Sequence, residues 1–329
     1  MLGLTPPKSV ECTLCPKACR LVPGQRGDCR VRVNEEGKLY SLVYGKVCAV
    51  HVDPVEKKPM FHFLPGSGAF SIATAGCNLH CLFCQNWEIS QTDPEDASNS
   101  DLPPEKVVAL AARSGCASIA YTYSEPVVFY EYVHDTSVLA REKGIRNIMV
   151  TAGFINTDPL RRLCKVVDGA NVDLKGFTEK YYREVCFGNL RTVLDTLVTM
   201  REEGVVLEVT NLIVPTLSDD MGQIREMCRW MAAELGEEVP IHFSRFTPMY
   251  KLKDLPPTPV STLRRARETA LDAGLKYVYT GNVPGDPGED TFCPACGRLV
   301  IDRYGYRILK YDVVDGKCGF CGEGLYGLF

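Results

Sequence analysis

The chain has 329 residues, 45% of them hydrophobic and 24% charged, with a formal net charge of −4. Such a composition supports a sizeable globular core, and the absence of any Lys/Arg-rich run excludes a nucleic-acid binder that works through a basic stripe. No apolar run reaches the ~20 residues a membrane helix needs, and none precedes the first cysteine as a secretory leader would, so a cytoplasmic protein without a membrane partner is expected.

Three zones follow in chain order. Residues 1–64 are rich in turn residues and cysteine, residues 65–284 alternate strand-like and helix-like runs, and residues 285–329 follow a Gly/Pro-rich linker at 282–290. In the middle zone the spacing predicts strands at 70–74, 117–123, 147–151, 170–174, 206–214, 240–246 and 277–280. Helices are predicted at 104–114, 127–143, 190–203, 221–235 and 261–273. Alternating β and α units imply right-handed crossovers and a parallel sheet. The expected fold class is therefore α/β, a partial or near-complete parallel (β/α) barrel with small Cys-rich metal-binding appendages at both ends. In such a barrel the chemistry gathers where strands end and loops begin.

Eleven of the sixteen cysteines fall in three groups, at 12–29, 77–84 and 293–321. In a reducing compartment, clustered thiols read as metal ligands rather than disulfides. The five scattered ones read as small buried hydrophobes, with Cys48 and Cys186 the candidates for exceptions. The first group, Cys12, Cys15, Cys19 and Cys29, suits either zinc or an auxiliary iron–sulfur cluster. After it comes Asp53-Pro54-Val55-Glu56-Lys57-Lys58-Pro59, readable as a solvated connector or as a lid over the barrel mouth. The last group, Cys293/Cys296 and Cys318/Cys321, is a pair of C-x2-C knuckles 21 residues apart. That is ribbon spacing for structural zinc, or for a single rubredoxin-like iron.

The middle group is the most specific. Cys77, Cys81 and Cys84 in C-x3-C-x2-C spacing follow the first predicted strand of the barrel directly. Three thiolates can wrap one cubane cluster and leave its fourth iron open to a small molecule. The competing reading is zinc held by the three cysteines and His80.

These three cysteines, with Phe83 before the last, resemble the signature of radical S-adenosylmethionine (SAM) enzymes. The resemblance implies a [4Fe-4S] cluster whose open iron binds the amino and carboxylate groups of SAM. Reductive cleavage then yields a 5′-deoxyadenosyl radical that takes hydrogen from a substrate. Tyr121-Thr122-Tyr123-Ser124-Glu125-Pro126 stands where the family carries Gly-Gly-Glu, which assigns Glu125 to the SAM ammonium while Tyr123 and Ser124 replace the glycines. Val172-Asp173-Leu174-Lys175 resembles the Asp-x-Lys of glycyl-radical activating enzymes, and period 2 puts Asp173 and Lys175 on one face. Thr210 and Asn211 are weaker cofactor contacts by the same resemblance. At 245–248 activators often carry His where this chain has Thr247, and His242 reads equally as a core histidine.

With the Cys12–Cys29 group, the Asp53–Pro59 run and Cys-Gln-Asn-Trp at 84–87, the chain resembles the radical SAM component of the AmmeMemoRadiSam system. That component is itself similar to pyruvate formate-lyase activating enzymes. The resemblance implies a low-potential electron donor such as flavodoxin or ferredoxin. It leaves the substrate open between a glycine of a partner enzyme and another molecule or side chain. A non-catalytic electron carrier is the alternative from a different class, although carriers usually ligate every iron.

Overall fold

The computed structural model describes residues 8–329, so the first seven residues of the expected 1–64 zone lie outside the described residues. All seven predicted strands form, each within about two residues of its expected ends. They are preceded by β1, Ala49–Pro54, and are β2 Gly68–Ala73, β3 Ser118–Tyr121, β4 Arg146–Thr151, β5 Gly169–Asp173, β6 Val206–Ile213, β7 Ile241–Arg245 and β8 Val278–Gly281. They pair in chain order in a single eight-stranded sheet, parallel throughout except for the antiparallel β1–β2 pair. Strands β3, β5 and β7 are buried over nearly their whole length. Burial of whole strands is what a parallel sheet covered on both faces produces.

The helices alternate with the strands: α1 Pro104–Arg113, α2 Tyr130–Glu142, α3 Thr157–Cys164, α4 Leu190–Glu202, α5 Met221–Glu234 and α6 Val260–Asp272. Their starts follow ordinary capping chemistry. Asn189 and Asp220 accept from the third backbone amide of α4 and α5, and Pro104 opens α1 where no intrahelical donor is needed. Sequence periodicity missed α3, two turns long with Pro159 inside it.

The edge strand β1 comes from residues expected in the N-terminal zone, so the division at 64/65 falls inside the barrel's edge unit. Beyond it, Val55–Lys57 makes one 3-10 turn. Met60 and Phe63 then form a buried cluster with Ala69, Ala120 and Ile148 of β2, β3 and β4. A Cβ at Gly169 would stand 2.7 Å from the Phe63 ring. The run at 53–59 is thus neither a solvated connector nor a lid. It leads into a floor packed against the sheet.

The C-terminal zone is an antiparallel hairpin, β9 Leu299–Tyr304 and β10 Arg307–Tyr311, with the two cysteine knuckles at its base. Arg303 locks it to the barrel. Its buried guanidinium donates to the carbonyls of Glu289 and Phe61 and to Thr291 Oγ1 (2.7 Å), and lies over the Phe61 ring. Phe61 and His62 in turn donate their amides to Glu208 of β6, which also accepts from His242 at 2.7 Å. Arg303→Met leaves the buried carbonyls of Glu289 and Phe61 without a donor, each costing ~1–3 kcal/mol, while Thr291 Oγ1 keeps the Tyr279 hydroxyl. It is expected to lower unfolding free energy by about 3 kcal/mol, read as a drop in denaturant midpoint at unchanged slope.

Candidate functional site

The loop after β2 carries Cys77, Cys81 and Cys84, and all three line a cavity of about 480 Å³ at the C-terminal ends of the strands. Gly76 opens the loop at φ +94°, where a Cβ would meet the Cys29 carbonyl at 2.7 Å, so only glycine lets the N-terminal zone pack so closely. The loop is held from the other side by a single π-type turn, Tyr182–Cys186. The amides of His80 and Leu82 donate to the carbonyls of Cys186 and Val185 at 3.1 and 3.0 Å.

His80 is turned away from the thiols, its ring nitrogens 2.9 Å from Asp28 and 2.7 Å from Gln91. That disposes of a zinc site built from the three cysteines and His80. Cys186 is buried behind Cys81 and is not part of the cavity lining. Among the described residues, only the C-terminal cysteines bring three or more ligand atoms within 4.8 Å of one another. The more widely spread sulfurs of Cys77, Cys81 and Cys84 suit a cubane, whose thiolates sit on separate iron corners, and not a single ion.

The later strands deliver the charged groups. Glu125 lines the cavity fully buried, accepting from the amides of Val127 (3.1 Å) and Ala152 (2.8 Å) and from Thr151 Oγ1. Burial pushes its pKa up, against those three donors. It therefore caps the turn at 126–129 and faces the cavity at once. Tyr123 sits at φ +65°, the left-handed conformation that favours glycine. Its hydroxyl donates to Asp53, and its carbonyl accepts from Asn86 at 2.7 Å. A backbone conformation that glycine would adopt freely is thus held at Tyr123 by side-chain bonds.

Asp173 and Lys175 share the cavity wall as a 2.8 Å ion pair. Burial opposes the Lys175 charge, but Asp173 and the sulfurs of Cys81 and Cys186 raise its pKa well above the usual value. Lys175 also lies over the Phe83 ring, which stacks on Tyr181. Thr210 lines the cavity with a buried hydroxyl that has no partner. Asn211, expected beside it, does not: period 2 turns it the other way, and its Nδ2 donates to the Leu174 carbonyl at 2.7 Å. His242 is a core residue paired with Glu208.

Several cavity residues escaped the sequence reading as site members, among them four with polar side chains from distant parts of the chain. Lys57 and Lys58 come from the floor, Asn282 from the end of β8, and Tyr306 from the tip of the C-terminal hairpin. Lys58 is buried, 2.6 Å from Asp53 and over the Tyr123 ring, and burial pulls its pKa down to about 8. The adjacent acid and lysines of the 53–59 run were the available signal, in a segment readable as a solvated connector or as a lid over the barrel mouth.

At the C-terminus, Cys293–Cys321 and Cys296–Cys318 sulfurs are 3.6 and 3.8 Å apart. A tetrahedron with ~2.3 Å metal–sulfur bonds has edges of about 3.8 Å, so the quartet fits one metal ion. The N-terminal cysteines share a different, smaller cavity with Arg32 and Asn78. Among the described residues no helix is long and apolar enough to cross a membrane.

The family model for the radical SAM superfamily matches residues 71–231. An uncharacterized protein of Methanocaldococcus jannaschii is 48% identical over 316 residues, 95% of this chain and 94% of the relative. The pyruvate formate-lyase-activating enzyme of Clostridium pasteurianum is 24% identical over 200 residues, 55% of this chain and 80% of that enzyme. Among solved structures, a radical SAM methyltransferase from Sphaerobacter thermophilus shares the fold at TM-score 0.54 and 17% identity, over 72% of this chain and 71% of that one. SuiB of Streptococcus suis bound to S-adenosylmethionine does so at TM-score 0.51 and 14% identity, over 63% of this chain and 48% of that one. With three thiols at the mouth of a partial parallel barrel, this chain belongs to the radical SAM superfamily and resembles the pyruvate formate-lyase activating enzymes.

Proposed function

We propose that the chain reductively cleaves SAM at a [4Fe-4S] cluster held by Cys77, Cys81 and Cys84, and abstracts hydrogen from a protein substrate. The observation that carries this is the cavity itself, where three thiols from one loop meet a buried carboxylate and a buried ion pair from neighbouring strands. When bound, the cluster supplies the electron that breaks a sulfur–carbon bond of SAM and so starts hydrogen abstraction.

The chain's own residues bind and orient. Glu125 accepts the SAM ammonium by a charge-assisted hydrogen bond. Lys175 meets the carboxylate, with Asp173 as its counter-charge and ribose partner, and Thr210 offers its unpaired hydroxyl to the nucleoside. Phe83 and Tyr181 keep water from the thiols, which protects a reactive intermediate. The floor at 53–63 closes the opposite side.

A protein substrate is favoured by the resemblance to an activating enzyme, with a low-potential flavodoxin or ferredoxin as donor. Structural zinc is the reading for the terminal quartet, because none of its four cysteines lines the cavity. The test is anaerobic turnover with a protein extract grown in deuterated glycine. Deuterium in the 5′-deoxyadenosine formed supports a glycyl target. Its absence, with deoxyadenosine still produced, argues for another substrate.

A further inference from the structure

Cys12, Cys15, Cys19 and Cys29 line one small cavity, together with Gly27, Arg32 and Asn78. One sulfur already meets a backbone donor: the Asp28 amide lies 3.5 Å from Cys19 Sγ.

Charge is matched as well. Arg32 is 4% exposed, its two terminal nitrogens are taken by Glu131 at 2.8 and 2.6 Å, and its Nε is buried without a partner. A buried unpaired guanidinium donor calls for an acceptor in the same cavity.

Size then separates the two kinds of metal. The C-terminal quartet, close enough for one ion, shows what a mononuclear site looks like in this chain. The N-terminal cysteines bring no three sulfurs within 4.8 Å, although all four border the same cavity. They surround something larger than an ion.

Position suggests what it does. The cavity wall includes Asn78, next in sequence to Cys77, and Val127, two residues from Glu125. The Cys29 carbonyl abuts Gly76, which adjoins Cys77. Cys15, Cys19 and Cys29 are meanwhile partly exposed, so the cavity lies between solvent and the catalytic loop.

We infer that Cys12, Cys15, Cys19 and Cys29 hold a second iron–sulfur cluster, which relays electrons from a protein donor to the centre at Cys77, Cys81 and Cys84. One electron leaves a low-potential one-electron donor, reduces the outer cluster, and passes inward as that cluster is reoxidised. No bond is made or broken on the way. The relay rests on the catalytic reading above, whereas the cluster does not.

The test uses the full chain, purified anaerobically, with Cys77, Cys81 and Cys84 all replaced by Ala. Retention of acid-labile sulfide, at about one per iron, is expected. A variant without sulfide, or with a second equivalent of zinc, overturns the cluster. Should that variant not fold, Cys15→Ser in the otherwise unchanged chain is expected to lose about half the sulfide, and full retention overturns the cluster equally. In Cys15→Ser, SAM cleavage driven by flavodoxin is expected to fall at least about tenfold while cleavage driven by dithionite stays within about twofold. Equal effects with both reductants overturn the relay. Absence of cleavage with dithionite in the unmodified chain would instead count against the catalytic reading alone.

Discussion

Cys81→Ala is expected to abolish reductive SAM cleavage, a loss of at least about 10³-fold, while the protein stays folded. Cys81 is 7% exposed and lies where the catalytic loop is pinned to the turn at 182–186. Removing its sulfur leaves two thiolates for a cluster that needs three. The replacement is small and apolar in a buried position, so the loss of stability is moderate. Cys186 is the nearby thiol that could step in, since it lies directly behind Cys81, whose sulfur is 4.0 Å from the Cys186 carbonyl. The double variant Cys81→Ala/Cys186→Ala guards against that rescue. The assay is 5′-deoxyadenosine formed under dithionite, alongside iron and sulfide content. Cleavage above about a tenth of the unmodified rate in the double variant would mean that Cys81 is not a ligand.

The second large effect belongs to Glu125. Glu125→Gln removes the buried negative charge beside the three thiols and keeps the shape. It also turns an amide NH2 toward a backbone donor, because the carboxylate uses both oxygens on Val127, Thr151 and Ala152. A hydrogen bond to a charged group is worth ~1.5–3 kcal/mol, so the dissociation constant for SAM is expected to rise about ten- to hundredfold with iron content unchanged. Asn211→Ala is the contrasting case. Its side chain points to the Leu174 carbonyl and away from the cavity, so SAM affinity should move by no more than about twofold. Equal affinities of Glu125→Gln and the unmodified chain would remove Glu125 from the SAM site.

The barrel was legible in the sequence because its seven parallel strands are short, largely buried runs rich in apolar and β-branched residues, separated by helical patterns. The edge strand β1 was not. Its half-exposed run Ala-Val-His-Val-Asp-Pro carries two polar side chains and a proline, and only pairing with β2 makes it a strand. That Cys77, Cys81 and Cys84 meet at one cavity was legible because their spacing is local. Lys57, Lys58 and Tyr306 reach the cavity by tertiary packing, from a floor and a hairpin tip that no periodicity connects to the barrel. Asn211 could have been placed correctly. The alternation that put Asp173 and Lys175 on one face also separates Thr210 from Asn211, but resemblance was followed there instead of geometry.

The account depends on an iron that this polypeptide leaves open. Electron paramagnetic resonance of the reduced protein, with SAM carrying a ¹⁵N-labelled amino group, tests it directly. A nitrogen hyperfine coupling that changes with the label is the result expected, because His80 is committed to Asp28 and Gln91 and Cys186 lies outside the cavity lining. A reduced signal indifferent to SAM, or a coupling from a protein ligand that persists with it, would contradict the account.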